Sequence, residues 1–270
     1  MHSSLRVLPR GLVALGQSTF MGRGKARRLL LRMLDALKVK RVQTTFKGIP
    51  YLFHLDNATE RRAIFGRYDD RELEFLFEHM KIAGNVFVDI GANSGFYTNF
   101  ILAKSAPGTT VIAIEPNPEL TARIHQNASL LSPSQRNGKT LIVEQKAISD
   151  APRLTFLDVG RGLGGACLID VEREFALRVE AIPLLTLLNR HGVDRIDALK
   201  IDVEGHEDRV LTPFLAAAPE TLLPRSIVIE HTSGDLWKTD VLRQLLDMGY
   251  TTVARTRGNA LLAKSKYGPA

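Results

Sequence analysis

The chain has 270 residues, a formal net charge of +7, and 44% hydrophobic and 24% charged residues. This length and balance are typical of a soluble protein with one sizeable α/β domain and an appendage. A single cysteine, Cys167, excludes an intrachain disulfide. No stretch approaches the roughly 20 apolar residues that a membrane-spanning helix needs. We therefore expect a cytoplasmic protein.

The positive charge is concentrated at the N-terminus. Residues 1–50 contain eleven Lys or Arg and one acid, Asp35, which gives +10 and leaves −3 (7 − 10) for the other 220 residues. The basic character therefore belongs to an N-terminal extension, which we place at residues 1–41. Nucleic acid is not an expected partner, because no known nucleic-acid-binding motif accompanies the charge and the rest of the chain is mildly acidic.

The first predicted element is an amphipathic helix over residues 24–39. Its apolar residues recur at spacings of three and four: Leu29, Leu30, Met33, Leu34 and Leu37. Arg27, Arg28 and Arg32 lie largely off that stripe. Two interpretations stay open. The leucines pack on the main domain, or the helix lies on an anionic membrane surface as a peripheral contact at the inner face.

Residues 42–83 are predicted to form a lead-in of one hairpin and one helix. The hairpin covers residues 41–55 with its turn at Gly48-Ile49-Pro50. The helix covers residues 69–80 and is capped by Asp69 or Asp70.

A third region, residues 84–265, alternates short apolar strands with helices. The predicted strands cover residues 85–90, 110–115, 141–148, 198–203 and 226–231, and a closing antiparallel hairpin covers 250–264. Near-continuous apolar strands separated by helices indicate a mostly parallel sheet that is covered on both faces. The expected fold class is therefore α/β.

A ligand-binding turn is predicted where the first of these strands ends. The segment reads Asp89-Ile-Gly91-Ala92-Asn93-Ser-Gly95. Gly91 allows a sharp turn close to a ligand, and Gly95 allows the next helix to pack near the strand. Free amides at that helix N-terminus favour a carboxylate, and Asp89 is placed to accept from an amino group or a water.

Glu115 lies 26 residues after Asp89, at the end of the next strand, and is followed by Pro116. An acid at this place accepts hydrogen bonds from both ribose hydroxyls of a nucleoside. Ala147, near the end of the third strand, is placed for an adenine edge. A dinucleotide oxidoreductase is an alternative, but its G-x-G-x-x-G is replaced here by G-x-x-x-G. The pattern favours a cofactor with an amino-acid end and no phosphate, S-adenosylmethionine.

A second polar cluster follows the fourth and fifth strands. Asp202 and Glu204 are predicted to end strand four with their side chains on one face, and His206 opens the next helix. Strand five ends in Glu230-His231. Since the two strands should be neighbours, we expect these groups to converge beside the cofactor, with Asp202 also contacting it.

Three roles stay open for this cluster. Methyl transfer to a hydroxyl needs a base, and a histidine, His206 or His231, is the usual one. Alternatively, Asp202, Glu230 and His231 hold a divalent cation such as Mg²⁺, which lowers the pKa of the hydroxyl. In the third interpretation, some of the acids only cap helices or pair with Lys200 and Arg209.

These blocks resemble the FkbM-type methyltransferases, a class I S-adenosylmethionine-dependent family. The matching segments are VDIGANSGFYT (88–98), IEP (114–116), AISD (147–150), LKIDVEGHE (199–207) and IVIEH (227–231). The resemblance implies a Rossmann-like seven-strand sheet, mostly parallel with an antiparallel C-terminal hairpin. It also implies O-methylation, commonly of a sugar hydroxyl on a glycoconjugate such as a glycolipid or polysaccharide, or of a polyketide.

The family pattern also implies the site residues. It places cofactor contacts at Asp89, Gly91, Asn93 and Glu115, and the chemistry near Asp202, Glu204, His206 and Glu230. The Gly-rich stretch 162–165 corresponds to the variable family segment and either borders the acceptor pocket or is a bare connector. A catalytically inactive methyltransferase fold that serves as a membrane-bound scaffold is the remaining alternative.

Overall fold

A computed structural model describes residues 4–160, 162, 165–169 and 171–264, with side chains from residue 8 onward. Its helices are α1 (Ser4–Ser18), α2 (Gly24–Ala36), α3 (Ala58–Ala63), α4 (Asp70–Glu78), α5 (Phe96–Lys104), α6 (Pro118–Ser129), α7 (Pro133–Arg136), α8 (Leu184–Arg190), α9 (Glu207–Ala217) and α10 (Val241–Asp247). Short 3-10 turns cover Phe20–Gly22, Glu220–Leu222 and Gly234–Leu236.

The strands are β1 (Arg41–Phe46), β2 (Ile49–His54), β3 (Val86–Ile90), β4 (Thr110–Ile114), β5 (Thr140–Glu144), β6 (Ala147–Ile148), β7 (Arg153–Asp158), β8 (Cys167–Ile169), β9 (Ala176–Ile182), β10 (Ala198–Ile201), β11 (Ser226–Glu230), β12 (Tyr250–Arg255) and β13 (Asn259–Lys264). Seven of them form the main sheet in the order β12-β13-β11-β10-β3-β4-β5. The five strands from β11 to β5 run parallel, and β12 and β13 close the sheet as an antiparallel pair. The predicted fold class is confirmed.

The centre of the sheet is the place where the strand order reverses. The chain runs outward from β3 through β4 to β5, then returns to place β10 on the other side of β3. Lys200 on β10 pairs in register with Asp89 on β3. Ligands in such sheets bind beyond the carboxyl ends of the strands at this reversal, so the fold predicts a site there.

Both faces of the sheet are buried, because successive strand residues alternate between two cores. Phe87, Ala198 and Val228 pack with the N-terminal helices, the β1–β2 hairpin, α4 and α5. Val88 and Leu199 pack with α8, α9 and α10 on the opposite face. The helices therefore hold the carboxyl ends of the strands at one edge of the molecule.

The β1–β2 hairpin is confirmed, but its predicted turn is wrong. Phe46 pairs with Ile49, so the turn consists of Lys47 and Gly48, both with positive φ (49° and 79°). Pro50 lies inside β2 opposite Thr45. A two-residue turn with positive φ at both positions matches the twist of a hairpin, which explains why it forms here.

The predicted strand 141–148 is also wrong as a single element. It divides into β5 in the main sheet and β6 in a separate four-stranded sheet of order β6-β9-β7-β8. This second sheet was not predicted. β3 ends at Ile90 as predicted, whereas β4, β10 and β11 end one or two residues earlier than predicted. Because β10 stops at Ile201, residues 202–205 form a turn.

The predicted helix 24–39 corresponds to α2, and its apolar stripe divides in two. Leu30 and Leu34 are buried in the core shared with the β1–β2 hairpin. Leu29, Met33 and Leu37 are exposed. Two of the five stripe residues therefore pack on the domain, and the other three face outward.

Candidate active site

A cavity of about 920 Å³ lies at the carboxyl ends of the central strands. Nine of the predicted site residues line it: Gly91, Ala92, Asn93, Glu115, Pro116, Ala147, Asp202, Glu204 and Glu230. Four predicted site residues are not part of its lining: Asp89, Gly95, His206 and His231. The structure therefore assembles most of the predicted carboxylates but not the histidines.

Residues 91–95, which we call the cofactor loop, turn sharply after β3. Gly91 has φ 73°, and a Cβ atom there would lie 1.9 Å from the carbonyl oxygen of Asp202. The N–H groups of Gly91 and Ala92 both donate to the carbonyl of Ile114, at 2.9 and 3.1 Å. A glycine is therefore required at position 91, because the residue that follows β10 approaches so closely. The loop is held against both the end of β10 and the end of β4.

Gly95 acts differently from the prediction. It has φ 85°, and a Cβ atom there would lie 2.6 Å from Asn99 Nδ2 and 3.1 Å from Ile124 Cγ1. Ile124 belongs to α6, so the glycine allows α5 and α6 to approach each other rather than a helix to approach a strand.

Glu115 is a buried carboxylate that faces the cavity. Its Oε2 accepts the N–H of Asn93 at 2.9 Å, and its Oε1 accepts the N–H of Asn117 at 3.0 Å. Burial raises the pKa of Glu115 to about 7, although these two N–H groups favour the charged form. Each carboxylate oxygen keeps unused acceptor capacity, which suits a pair of ribose hydroxyls.

The lead-in packs directly on the cofactor loop. Tyr51 on β2 donates through its hydroxyl to the carbonyl of Ser94 at 2.7 Å. Asn57 donates to Asn93 Oδ1 at 3.0 Å, and Asn93 itself has φ 52°. These contacts hold a non-glycine residue in a left-handed conformation at the cavity wall.

Asp89 is fully buried and does not line the cavity. Its Oδ2 accepts both the N–H (3.1 Å) and the hydroxyl (2.6 Å) of Thr98. Its Oδ1 lies 3.7 Å from Lys200 Nζ. Burial raises the pKa of Asp89, and Lys200 and Thr98 oppose that shift. The carboxylate therefore faces the interior of the sheet and adjoins Lys200.

Lys200 is a central residue of the site that the sequence analysis treated only as an ion-pair partner. Its ammonium donates to the carbonyl of Gly91 at 2.7 Å and lies 3.7 Å from Asp202 Oδ2. Burial lowers the pKa of Lys200, but the surrounding carboxylates outweigh burial and the net shift is upward. The sequence does contain a signal for this role. Lys200 lies between two apolar strand residues, Leu199 and Ile201, and a charge in a buried strand needs a partner.

Glu204 has an unusual backbone and a shifted pKa. It lies in the turn after β10 with φ 54°, followed by Gly205 with φ 95°. Burial, together with the charges of Asp202 and Glu230, raises the pKa of Glu204 to about 7, whereas Lys200 lowers it. A carboxylate that titrates near neutrality beside a cavity is suited to proton transfer.

Glu230 ends β11 with its carboxylate buried at the cavity wall. Its Oε1 accepts the backbone N–H and the hydroxyl of Thr232. Its Oε2 is buried and forms no hydrogen bond with the described residues.

The two histidines lie elsewhere. His206 immediately precedes α9, and its Nε2 is buried without a hydrogen bond among the described residues. Burial and the nearby Arg209 lower the pKa of His206 to about 4. His231 lines a separate, smaller cavity with Trp237 and Arg255.

The predicted metal-ligand set of Asp202, Glu230 and His231 does not come together. Among the described residues, the two acids instead lie with Glu207, with oxygen atoms within 4.8 Å of one another. Both Glu207 oxygens already accept N–H groups, from Val203 at 2.8 Å and from the Trp237 ring at 2.8 Å. Glu207 Oε2 also accepts the N–H of Gly205 at 3.1 Å, so Asp202 and Glu230 are the carboxylates that stay available to a cation. One or two carboxylates are usual for Mg²⁺, and a divalent cation at this place stays a prediction.

Asp69 is a further cavity residue, predicted only as a helix cap. It has φ 45°, and its side chain does not cap α4 but accepts the hydroxyl of Tyr97 at 2.8 Å. Burial raises the pKa of Asp69 to about 6. Tyr68 and Arg67 line the same wall. In the Gly-rich stretch, Leu163 and Gly164 lie outside the described residues, whereas Ala166 and Leu168 just beyond line the cavity.

The sheet order, the closing antiparallel pair and the acid that ends β4 beside a glycine turn define the S-adenosylmethionine-dependent methyltransferase class of α/β proteins. Comparison with known families gives the same class. Residues 89–252, more than half of the chain, match the methyltransferase FkbM domain. The chain therefore belongs to the FkbM methyltransferase family, which removes the oxidoreductase alternative.

Individual relatives are more distant. The chain is 29% identical over 204 residues to the 31-O-demethyl-FK506 methyltransferase FkbM of Streptomyces tacrolimicus, which covers 63% of this chain and 74% of that protein. An rRNA methylase from Streptococcus thermophilus superposes with a TM-score of 0.42 at 14% identity, covering 73% and 96% of the two chains. TYW2 of M. jannaschii in complex with AdoMet gives 0.39 at 16% identity, covering 83% and 87%. The functional assignment rests on the family match rather than on these structural likenesses.

Proposed function

We propose that the protein is an S-adenosylmethionine-dependent O-methyltransferase that methylates a hydroxyl of a sugar or glycoconjugate, with a polyketide-like small molecule as the second acceptor class. The observation that carries this proposal is one cavity whose wall contains both Glu115 and Glu204. The first suits a ribose and the second suits the removal of a hydroxyl proton.

The cavity residues fit the cofactor in charge and in hydrogen-bonding capacity. Each Glu115 oxygen takes one backbone N–H and keeps a lone pair for a ribose hydroxyl. Asp69 and Asp202 supply negative charge at the wall, which favours a ligand with an ammonium and a sulfonium. When bound, S-adenosylmethionine supplies a methyl group on a positively charged sulfur and leaves as the neutral thioether.

Glu204 is the base that we propose. Its carboxylate borders the cavity and has a pKa of about 7, so it is substantially deprotonated at neutral pH yet still basic enough to accept a proton. With the cofactor bound, this carboxylate would accept the proton that the acceptor hydroxyl loses when its oxygen is methylated. His206, outside the cavity lining and with a pKa of about 4, is a weaker candidate. A role for Mg²⁺ stays a prediction.

The mouth of the cavity supports a polar, oxygen-rich acceptor. Arg62, Arg67 and Arg257 line it and are exposed, and Tyr68 lies beside them. Guanidinium and phenol groups offer donors to several hydroxyls of one sugar. The related FkbM protein is named for an O-demethyl substrate, which is also in keeping with a hydroxyl acceptor.

Two measurements test the proposal. Calorimetry should show binding of S-adenosylmethionine to the purified chain. Incubation with labelled cofactor and glycolipid or polysaccharide extracts should give a product heavier by one methylene. The same incubation is repeated with EDTA, and the product should still form if Glu204 acts without a metal. Loss of product with EDTA would favour the metal mechanism. Absence of cofactor binding would contradict the proposal and favour the inactive scaffold.

A further inference from the structure

Exposed apolar side chains are concentrated in the N-terminal helices. Thirteen large hydrophobic residues with described side chains are exposed, and six of them lie within thirty residues of sequence: Leu8, Leu15, Phe20, Leu29, Met33 and Leu37. Phe20, in the 3-10 turn between the two helices, is 78% exposed. We call these six residues the N-terminal apolar surface. Their number in so short a segment exceeds what scattered surface residues explain.

Helical geometry places the exposed apolar residues of each helix along one edge. Leu8 and Leu15 are seven residues apart on α1, so they share a face. Leu29, Met33 and Leu37 follow one another at four-residue spacing along α2 and its end. The apolar surface is therefore two helix edges joined by a turn that presents an aromatic ring.

Basic side chains border the stripe on α2. Lys25, Arg28 and Arg32 are exposed on the adjoining edge of the same helix. Asp35, the single acid within residues 1–50, pairs with Arg61 at 2.8 Å and is thereby neutralised. The combination of an apolar edge with a basic edge is typical of a helix that lies in the headgroup region of a bilayer.

The adjoining edges of the two helices are already packed on the domain. Leu12, Val13, Leu30 and Leu34 are buried in its core. Gln17 donates to the carbonyls of Thr45 and Ile64, each at 2.8 Å. The described part of the chain therefore leaves the N-terminal apolar surface uncovered and holds it in one orientation.

The segment that carries this surface also contributes to the wall of the active-site cavity. Gly22 in the 3-10 turn and Arg27 on α2 are part of the cavity lining. A partner held by the N-terminal helices would thus lie close to this cavity.

We propose that α1, the 3-10 turn and α2 dock the protein on an anionic lipid bilayer through the N-terminal apolar surface. Charge favours this occupant over a second copy of the chain, because two copies would bring two segments of +10 together, whereas anionic headgroups complement them. The inference goes beyond the proposed methyl transfer and does not depend on it.

The test uses the full chain in vesicle flotation. We expect the protein to float with vesicles that contain phosphatidylglycerol, to remain behind with pure phosphatidylcholine, and to be released by high salt. The double variant Leu29→Gln/Met33→Gln should reduce the floated fraction by roughly fivefold or more, since it removes apolar contact but no core residue. Arg28→Gln/Arg32→Gln should do the same for anionic vesicles.

The matched control is Ile82→Gln/Leu154→Gln, which changes two side chains that are 65% and 61% exposed elsewhere on the surface. It should float like the wild type, and thermal melts should show that all variants are folded. Flotation of Leu29→Gln/Met33→Gln at the wild-type level would overturn the proposal. A second result would also overturn it: the wild-type chain does not bind anionic vesicles, and light scattering shows a dimer that the double variant does not form. Calorimetry with S-adenosylmethionine reports separately on the proposed function.

Discussion

A Cβ atom on Gly91 would lie 1.9 Å from the carbonyl oxygen of Asp202, so the cofactor loop and the end of β10 are in backbone contact. The two segments that carry the family pattern are therefore packed against each other and cannot move independently. Lys200 strengthens the junction by donating to the carbonyl of Gly91 at 2.7 Å. Any change that separates them should alter cofactor binding and the position of the proposed base together.

Gly91→Ala should weaken binding of S-adenosylmethionine by roughly 5- to 150-fold, because relieving such an overlap by a backbone shift costs about 1–3 kcal/mol. Calorimetry measures the change. The matched control is Gly258→Ala, since Gly258 also lines the cavity but a Cβ atom there meets nothing within 4 Å. Equal effects of the two substitutions would contradict a role for the Gly91–Asp202 contact.

Glu115→Ala should weaken cofactor binding by about tenfold through the loss of its ribose hydrogen bonds. Glu144→Ala provides the comparison. Glu144 ends the neighbouring strand β5, bonds to His191 at 2.7 Å and is not part of the cavity lining. If both substitutions weakened cofactor binding equally, Glu115 would contribute only negative charge at the carboxyl ends of the strands and not hydrogen bonds to the ribose.

The rate of methyl transfer at saturating cofactor should rise with pH and reach half its maximum near pH 7. Glu204 has a pKa of about 7 and must be deprotonated to accept the hydroxyl proton. A profile that is flat from pH 5.5 to 8.5 would instead favour His206, whose pKa of about 4 leaves it neutral throughout. Glu204→Gln should abolish the rise, whereas His206→Gln should preserve it.

The folding stability should depend on the ionisation of Glu204 in the opposite direction: it should fall, not rise, as pH increases. The pKa of Glu204 is higher in the folded chain than its ordinary value of 4.5, so its contribution to stability is fully present below that value and is lost as pH rises towards 7. Glu204→Gln should therefore gain stability relative to wild type between pH 5 and pH 8. Urea titrations at the two pH values check the difference, and a constant difference would contradict the raised pKa.

Arg123→Met should destabilise the fold by about 3–5 kcal/mol, because it leaves a buried carboxylate unpaired. Arg123 is 4% exposed and contacts Glu60, which is fully buried, at 2.8 Å. Arg243→Met is the control, since Arg243 pairs with Asp247 on the exposed face of α10 and should cost little. Urea unfolding of both variants provides the comparison.

The strands of the main sheet were predictable because β3, β4, β10 and β11 are short, almost wholly apolar runs between helices. The second sheet was not, because β7 and β9 mix charged and apolar residues and are only partly buried. Their pattern resembles that of surface loops, so periodicity alone gave no signal.

The candidate site shows a similar division. Glu115 and Asp202 were predictable, because each directly follows an apolar strand in the segments that resemble the family. The position of His206 was not, because the prediction continued the strand through residue 203. The turn instead takes two consecutive residues, Glu204 and Gly205, through positive φ, and His206 follows outside the cavity. Backbone reversals of this kind depend on tertiary contacts, which the spacing of residues does not record.

The hydrogen bonds from Tyr51 and Asn57 to the cofactor loop bear on how this protein can be recombined with its relatives. The segment that matches the family domain begins at residue 89, after both donors. A chimera that transplants only that segment would inherit a loop without its supporting donors. Exchange at the boundary between α2 and β1 would keep donor and acceptor from one parent, so successful hybrids should have their junctions there.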